Sequence, residues 1–241
     1  MSRVRAAAVL GWLITAALLI GAPASGAAPV LGHTHIPGRA GTSTNWSGYA
    51  AFGGTFTSVT STWTQPTVAC GSGKTYSAYW VGIDGYNSST VEQLGTEADC
   101  SSGTPSYYAW YEMYPHPGYY ARSVTVTPGH SYTAKVNYLG GGSYMLSLVD
   151  NNTGASFSIK QKMASAKRAS AEVIVEAPWS GGVLPLANFG TASFSGSLAN
   201  GQPIGGFASL DPMTMLDPAG GTATPSVLSN GGRDFSVAFG A

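Results

Sequence analysis

From residue 45 onward, apolar and polar residues alternate with a period of two, and short runs of this pattern end at turn-forming residues. Successive side chains of a β-strand point to opposite faces, so this alternation is typical of strands that bury one face. The clearest runs hold their apolar residues at Tyr132, Ala134, Val136 and Tyr138, at Tyr144, Leu146 and Leu148, and at Phe235, Val237 and Phe239. Turn residues at 140–142 and 150–154 separate neighbouring runs. Short strands at intervals of about 8–12 residues are typical of an antiparallel sandwich or barrel.

A helical pattern is not convincing anywhere after residue 45. The best candidate is 161–172, which has too few large apolar residues to bury one face of a helix. The sequence therefore predicts an all-β fold, with a single domain over residues 42–241.

The first 27 residues have the composition of a secretory signal peptide. Arg3 and Arg5 precede an apolar stretch at 6–20, and small residues at 22–27 offer a cleavage site. A membrane anchor is the alternative, but this apolar stretch is shorter than the ~20 residues that span a bilayer. We therefore predict a secreted, extracellular protein without membrane contact once the signal peptide is cleaved.

Residues 28–41 are rich in glycine, proline and small polar residues. This composition predicts a short pro-segment or a flexible N-terminal arm. It contains His33 and His35, but two histidines alone make a poor metal site, and the usual zinc spacings are absent from the chain. We predict neither a metal nor a cofactor.

The charge balance excludes several classes of protein. Only 9% of the residues are charged, with 11 Lys and Arg against 11 Asp and Glu. A protein that binds nucleic acid through phosphate neutralisation needs a basic excess, which is missing here. The high apolar content, 44%, also argues against a disordered chain.

Cys70 and Cys100 are the only cysteines. In an exported protein, a lone pair of cysteines is most simply interpreted as one disulfide. The alternative, a nucleophilic cysteine, would leave the other one unpaired and would need a histidine nearby.

The acidic residues are unevenly distributed, with five between Asp84 and Glu112 and two more at Glu172 and Glu176. If 171–177 is a strand with its valines facing the core, the two glutamates share the opposite face. They then lie about 13 Å apart, too far to act as a pair. A functional partner for either must come from another strand.

Several common catalytic motifs are absent. The chain has no HExxH, no GxSxG, no phosphate-binding glycine loop, and neither Asp-Thr-Gly nor Asp-Ser-Gly. These absences argue against the usual zinc peptidases, serine hydrolases and paired-aspartate proteases.

Five short motifs occur in a fixed order: NWSG at 45–48, WVGIDG at 80–85, Gln93 with Gly95, WYEMYP at 110–115 and AEVIVE at 171–176. In this order they resemble the glutamic peptidases, the eqolisin family of secreted acid proteases. The fungal members usually have Trp where Val173 stands, place their cysteines differently and have longer pro-segments. The chain is therefore more similar to a bacterial branch of the family.

The resemblance implies a concanavalin A-like antiparallel β-sandwich, in which two bent sheets form a substrate groove. It also implies a catalytic dyad of Gln93 and Glu176 that acts on polypeptide substrates. Glu176 would activate a water molecule and later protonate the leaving amine, while Gln93 would stabilise the tetrahedral oxyanion. The groove residues implied by the family are Trp80, Asp84, Glu97, Glu112 and Tyr114. We expect a monomer.

Two other functions fit parts of the sequence. A β-sandwich glycoside hydrolase needs two carboxyl groups about 5–9.5 Å apart, for which Glu112 and Glu176 are candidates, with Trp80 or Trp110 stacking on a sugar. A noncatalytic lectin-like module would use aromatic residues on the same fold. Removing the Gln93 side chain distinguishes these functions, because only the peptidase requires it.

Overall fold

The computed structural model describes residue 1, residues 31–36 and residues 41–240. Apart from residue 1, the predicted signal peptide lies outside the described residues, as do its cleavage region and residues 28–30 and 37–40 of the predicted arm. Within the described part, no helix combines the length and the apolar character that crossing a membrane requires.

The described residues form β-strands and one short 3₁₀ turn at Ile204–Gly206. In chain order the strands are β1 (Thr42–Ser43), β2 (Trp46–Phe52), β3 (Ser58–Thr64), β4 (Thr75–Ile83), β5 (Val91–Ser101), β6 (Thr104–Tyr114), β7 (Tyr119–Tyr120), β8 (Ser131–Gly140), β9 (Ser143–Asp150), β10 (Ser156–Lys162), β11 (Ser170–Glu176), β12 (Thr191–Ala199), β13 (Gln202–Pro203), β14 (Leu210–Leu216), β15 (Thr222–Pro225) and β16 (Phe235–Gly240). The predicted all-β fold is confirmed.

The strands join in one hydrogen-bonded path, β10-β9-β8-β3-β12-β16-β15-β14-β2-β11-β4-β5-β6-β7, with β1 and β13 at its margins. Pairing along this path is antiparallel, whereas β1 runs parallel to β14. The path folds over itself, so that β3 and β8 face β4 and β5 across the core. A hydrogen bond of 2.9 Å from the Trp63 indole to Thr96 Oγ1 joins the two layers of this sandwich.

The core between the layers receives the apolar residues of the alternating runs. On β8 and β9 these are Tyr132, Ala134, Val136, Tyr144, Leu146 and Leu148, all fully buried. Removing such side chains from water is the main favourable term in folding, at about 25 cal/mol per Å² of apolar surface. The alternation seen in the sequence therefore decides which face of each strand turns inward.

Strand β11 is buried on both faces, because it lies between β2 and β4. Val173 and Val175 pack into the core. Ile174 belongs to a second buried apolar cluster on the opposite face, and Glu172 and Glu176 alternate with it on that face. The predicted division of this strand into a valine face and a glutamate face is correct.

The disulfide closes the part of the chain that contains β4 and β5. Cys70 and Cys100 are bonded across a sequence separation of 30, with their Cα atoms 5.3 Å apart. Cys100 lies near the end of β5 and is buried in the core.

Replacing both cysteines by serine is expected to lower the free energy of unfolding by roughly 3–4 kcal/mol, because the unfolded chain regains the entropy of an open 30-residue loop. A domain of this size should then melt at a temperature lower by about 10 °C. Calorimetry of the double variant, with the oxidised parent as control, measures this shift. An unchanged melting temperature would contradict the expectation.

Candidate active site

The second apolar cluster lies on the face of β2, β4, β6 and β11 that is turned away from the core. Its largest members, Trp46, Trp80 and Trp110, are fully buried. Alternation places Gln93 and Glu97 of β5 on this face, since Gln93 pairs with Gly82 and Glu112, and Glu97 pairs with Ala78 and Tyr108. A layer of indole rings and polar side chains therefore covers these strands.

Glu176, at the end of β11, is buried and held by hydrogen bonds from two sides. The Trp80 indole N–H donates to Oε2 over 2.8 Å, and the Asn45 amide donates to Oε1 over 3.1 Å. Asn45 immediately precedes β2, whose Trp46 pairs in register with Glu176. The NWSG and AEVIVE motifs therefore meet at this carboxyl group.

Gln93 lies on β5 with its amide oriented by two acceptors. Nε2 donates to Glu112 Oε2 over 2.9 Å and to the backbone oxygen of His33 over 2.6 Å. Because both acceptors take hydrogens from Nε2, Oε1 faces the other way and has no hydrogen-bond partner among the described residues. The two acceptors therefore fix the orientation of the Gln93 amide group.

The structure explains why a glycine, Gly95, follows Gln93 by two positions. It pairs with Trp80 across β4 and β5. A Cβ at this position would collide with the Tyr79 carbonyl oxygen and would lie 2.6 Å from the Cβ of Trp80. Only glycine lets Trp80 lie close enough over β5 to reach Glu176.

Residues 31–36, from the predicted arm, run across this face. At one end, Gly32 and Trp179 exchange backbone hydrogen bonds of 3.0 and 2.8 Å. At the other end, Asn45 donates to the Thr34 carbonyl over 2.7 Å and accepts from the Ile36 amide over 2.9 Å. The site thus already contains a peptide segment of its own chain.

His33 is the innermost residue of this segment and is fully buried. Its ring stacks on Trp110 with centroids 3.6 Å apart and planes inclined by 7°. Nδ1 lies 3.1 Å from Glu176 Oε2, and Nε2 lies 3.5 Å from Glu97 Oε2. The His33 backbone N–H donates to Glu112 Oε2 over 3.0 Å. Through this one residue the structure brings Gln93 and Glu176 together.

The three carboxyl groups around His33 have raised pKa values. Burial raises the pKa of Glu176 to about 7, although the adjacent His33 partly opposes the shift. Burial raises the pKa of Glu97 and of Glu112 to about 8, and for Glu112 the hydrogen bonds from His33 and Gln93 act against it. Perturbed carboxyl groups that converge on one place are a common property of active sites.

The remaining predicted groove residues divide into two groups. Tyr114 and Glu112 line a cavity of about 430 Å³ beside Gly32 and Trp179, which extends the site along the peptide segment. Asp84 instead accepts hydrogen bonds from the backbone amides of Arg168 and Ala169, at 2.6 and 2.8 Å, and from Ser88. In the structure Asp84 therefore anchors the loop before β11. The family resemblance implies a position in the groove instead.

Four residues of the site are absent from the predicted dyad and groove of the peptidase: His33, Asn45, Trp110 and Trp179. Asn45 belongs to the NWSG motif and Trp110 to the WYEMYP motif, and these motifs carry the signal for them. His33 and Trp179 lie in irregular segments, and their pairing across the site depends on the tertiary fold.

A sequence profile of the Peptidase A4 family matches residues 44–236. Aspergillopepsin-2 of Aspergillus niger is 30% identical over 190 residues, which cover 68% of this chain and 67% of that protein. Scytalidopepsin B of Scytalidium lignicola is 33% identical over 137 residues, which cover 55% of this chain and 51% of that protein.

Among solved structures, scytalido-glutamic peptidase with a transition-state analogue inhibitor superposes with a TM-score of 0.71. The superposition covers 82% of this chain and 98% of the peptidase, at 23% sequence identity. This likeness shows that the two proteins share a fold.

Proposed function

Because the chain belongs to the Peptidase A4 family, and is therefore a glutamic-type endopeptidase, we propose that it is a secreted acid enzyme that cleaves polypeptides with Gln93 and Glu176. One observation carries this proposal. A peptide carbonyl, that of His33, accepts a hydrogen bond of 2.6 Å from Gln93, while the same residue contacts Glu176. The site thus holds a peptide carbonyl at Gln93 and the side chain of the same residue at Glu176.

Peptide hydrolysis requires a base for the attacking water, a donor for the oxyanion and an acid for the leaving amine. Ionised Glu176 takes a proton from water, which adds to the carbonyl carbon of the substrate. Gln93 Nε2 donates to the oxygen as it becomes negative, in the place where the His33 carbonyl lies. Glu176 then returns the proton to the nitrogen, the C–N bond breaks, and no covalent intermediate forms.

The surrounding residues hold this arrangement. Glu112 accepts from Gln93 and so turns the amide nitrogen toward the carbonyl. Trp80 and Asn45 each donate to one oxygen of Glu176 and fix its carboxyl plane. The cavity beside Tyr114 and Trp179 provides space for substrate residues on the N-terminal side of the cleaved bond.

The working pH follows from the state of Glu176. While residues 31–36 cover it, burial raises its pKa to about 7, and in acid the carboxyl group is protonated and cannot act as a base. Displacing the segment readmits water and weakens the desolvation that raises this pKa, which moves it toward the ordinary value of about 4.3. The open site then contains the ionised base in moderately acidic solution.

Export completes the proposal. Residues 1–27 act as a cleaved signal peptide, residues 28–41 form the N-terminal arm of the exported chain, and the enzyme works outside the cell as a monomer. Mass measurement of the secreted protein identifies its N-terminus, and light scattering gives its oligomeric state.

The test is digestion of an unfolded protein such as casein at several pH values between about 3 and 6, with mass spectrometry of the products. Gln93→Ala is expected to lower kcat about 10²–10³-fold, because it removes the oxyanion donor. Gln202→Ala changes an exposed glutamine on β13 and should retain full activity. An undiminished rate for Gln93→Ala, or hydrolysis of glycans in place of peptides, would contradict the proposal.

A further inference from the structure

Residues 31–36 occupy the proposed active site as a bound peptide would, and His33 enters it most deeply. We infer that the site contains a subsite for an imidazole side chain, and that a peptide which places histidine there inhibits the enzyme. This inference rests on the proposed roles of Gln93 and Glu176. The internal occupant of the subsite is the chain's own His33.

The subsite contacts an imidazole on its face and at Nδ1, and it places a second carboxyl group near Nε2. Trp110 offers a flat surface at 3.6 Å, and Glu176 and Glu97 lie 3.1 and 3.5 Å from Nδ1 and Nε2. The two ring nitrogens therefore face two carboxyl groups while the ring plane lies against the indole. A phenyl ring can stack but donates nothing, and an ammonium group has no flat face.

Backbone contacts on both sides of His33 fix the register that puts the ring into this subsite. Its own N–H donates to Glu112 and its carbonyl accepts from Gln93. Gly32 pairs with Trp179, and the next carbonyl, that of Thr34, accepts from Asn45. A free peptide that makes the same contacts would present its third residue to Trp110.

The occupied subsite is incompatible with catalysis, because the imidazole holds the oxygen that must receive a proton from water. His33 Nδ1 and the Trp80 indole N–H both contact Oε2 of Glu176, and Asn45 contacts Oε1. A water molecule cannot take its place at Oε2 while the imidazole nitrogen is 3.1 Å away. A histidine bound in this way is therefore an inhibitor, although its carbonyl lies at Gln93.

The test uses capped hexapeptides with the sequence of residues 31–36, Leu-Gly-His-Thr-His-Ile, and versions with alanine at either histidine. Each is titrated into the full-length His33→Ala chain during hydrolysis of a fluorogenic peptide. The parent hexapeptide is expected to inhibit competitively, and the His33→Ala version at least about tenfold more weakly. The His35→Ala version is the matched control, since the His35 ring stacks on Trp46 and Tyr86 and not on Trp110, and it should weaken inhibition less than the His33→Ala version does.

The same hexapeptides titrated into the wild-type chain keep the test independent of how well the His33→Ala chain folds. Equal inhibition by the parent and the His33→Ala version would overturn the inference, because it would assign binding to the backbone alone. Rapid cleavage of the parent hexapeptide would overturn it as well, since histidine would then mark a substrate. If neither the parent nor the His33→Ala version inhibits, the inference is overturned too.

Calorimetry separates this inference from the proposed function, because it measures binding without turnover. If no peptide is hydrolysed but the parent still binds at least tenfold more tightly than the His33→Ala version, the subsite stands and the catalytic proposal fails. Glu97→Gln replaces the carboxyl group beside the ring by an amide at nearly constant size. It should weaken binding of the parent and leave the His33→Ala version unaffected; an equal loss for both would exclude an imidazole contact with Glu97.

Discussion

Glu176→Gln is expected to lower kcat for peptide hydrolysis by about 10³-fold or more and to leave the fold intact. The substitution removes the only group that is proposed both to activate the water and to protonate the leaving amine, and each such proton transfer contributes about 10²–10⁴. Glutamine has nearly the same size and still offers an oxygen to Trp80 or Asn45, so the packing of β11 is retained. Steady-state rates on a fluorogenic peptide, with circular dichroism as a check on folding, measure the effect.

Glu172→Gln is the matched control for this variant. Glu172 lies on the same strand and the same face, four residues earlier, and is equally buried. It pairs in register with Ala50 and Gly82, whereas Glu176 pairs with Trp46 and Ala78, four residues away on each strand. The control should keep most of the wild-type rate. Similar losses in the two variants would mean that burial of a charge in β11, and not proton transfer, explains the result.

Much of this arrangement could be predicted from the sequence, because it depends on local periodicity. Alternation along β11 places Glu172 and Glu176 together and the two valines on the other side, and the structure agrees. The requirement that any partner must come from another strand also follows from strand geometry alone. Periodicity cannot identify the strand that supplies this partner, because β11 pairs with β2 and β4, which lie more than 80 residues earlier in the chain.

The role of His33 could not be predicted, since nothing local distinguishes it. It lies 60 residues from Gln93 and 143 from Glu176, in a glycine- and proline-rich segment whose composition indicates only an arm. The backbone of residues 31–36 is held by Trp179 and Asn45, which come from distant segments. For Asp84 the sequence does carry a signal, because the WVGIDG motif suggests a groove residue. In the structure its carboxyl oxygens instead accept hydrogen bonds from backbone amides in the loop before β11.

Stability is expected to be greatest in acid and to fall as the pH rises from about 4.5 to 9, the range between ordinary carboxyl pKa values and those of the buried acids. Burial raises the pKa of Glu176 to about 7, of Glu97, Asp99 and Glu112 to about 8, and of Glu92 to about 9. In this range the unfolded chain has released protons that the folded chain still holds, so the free energy of unfolding decreases with pH. The five buried acids all act in the same direction, so their combined effect should lower the melting temperature by at least about 10 °C between pH 4 and pH 9.

Glu92→Gln tests the origin of this dependence away from the proposed site. Glu92 has the highest of these pKa values because burial is reinforced by the nearby Asp84 carboxylate. An isosteric amide cannot ionise, so the variant should melt at nearly the wild-type temperature at pH 4 and at a higher temperature than wild type at pH 8. Melting curves from pH 3 to pH 9 measure both differences. If the two proteins lose stability in parallel, or if wild type is more stable at pH 8 than at pH 4, the buried acids do not control stability in the way that their positions indicate.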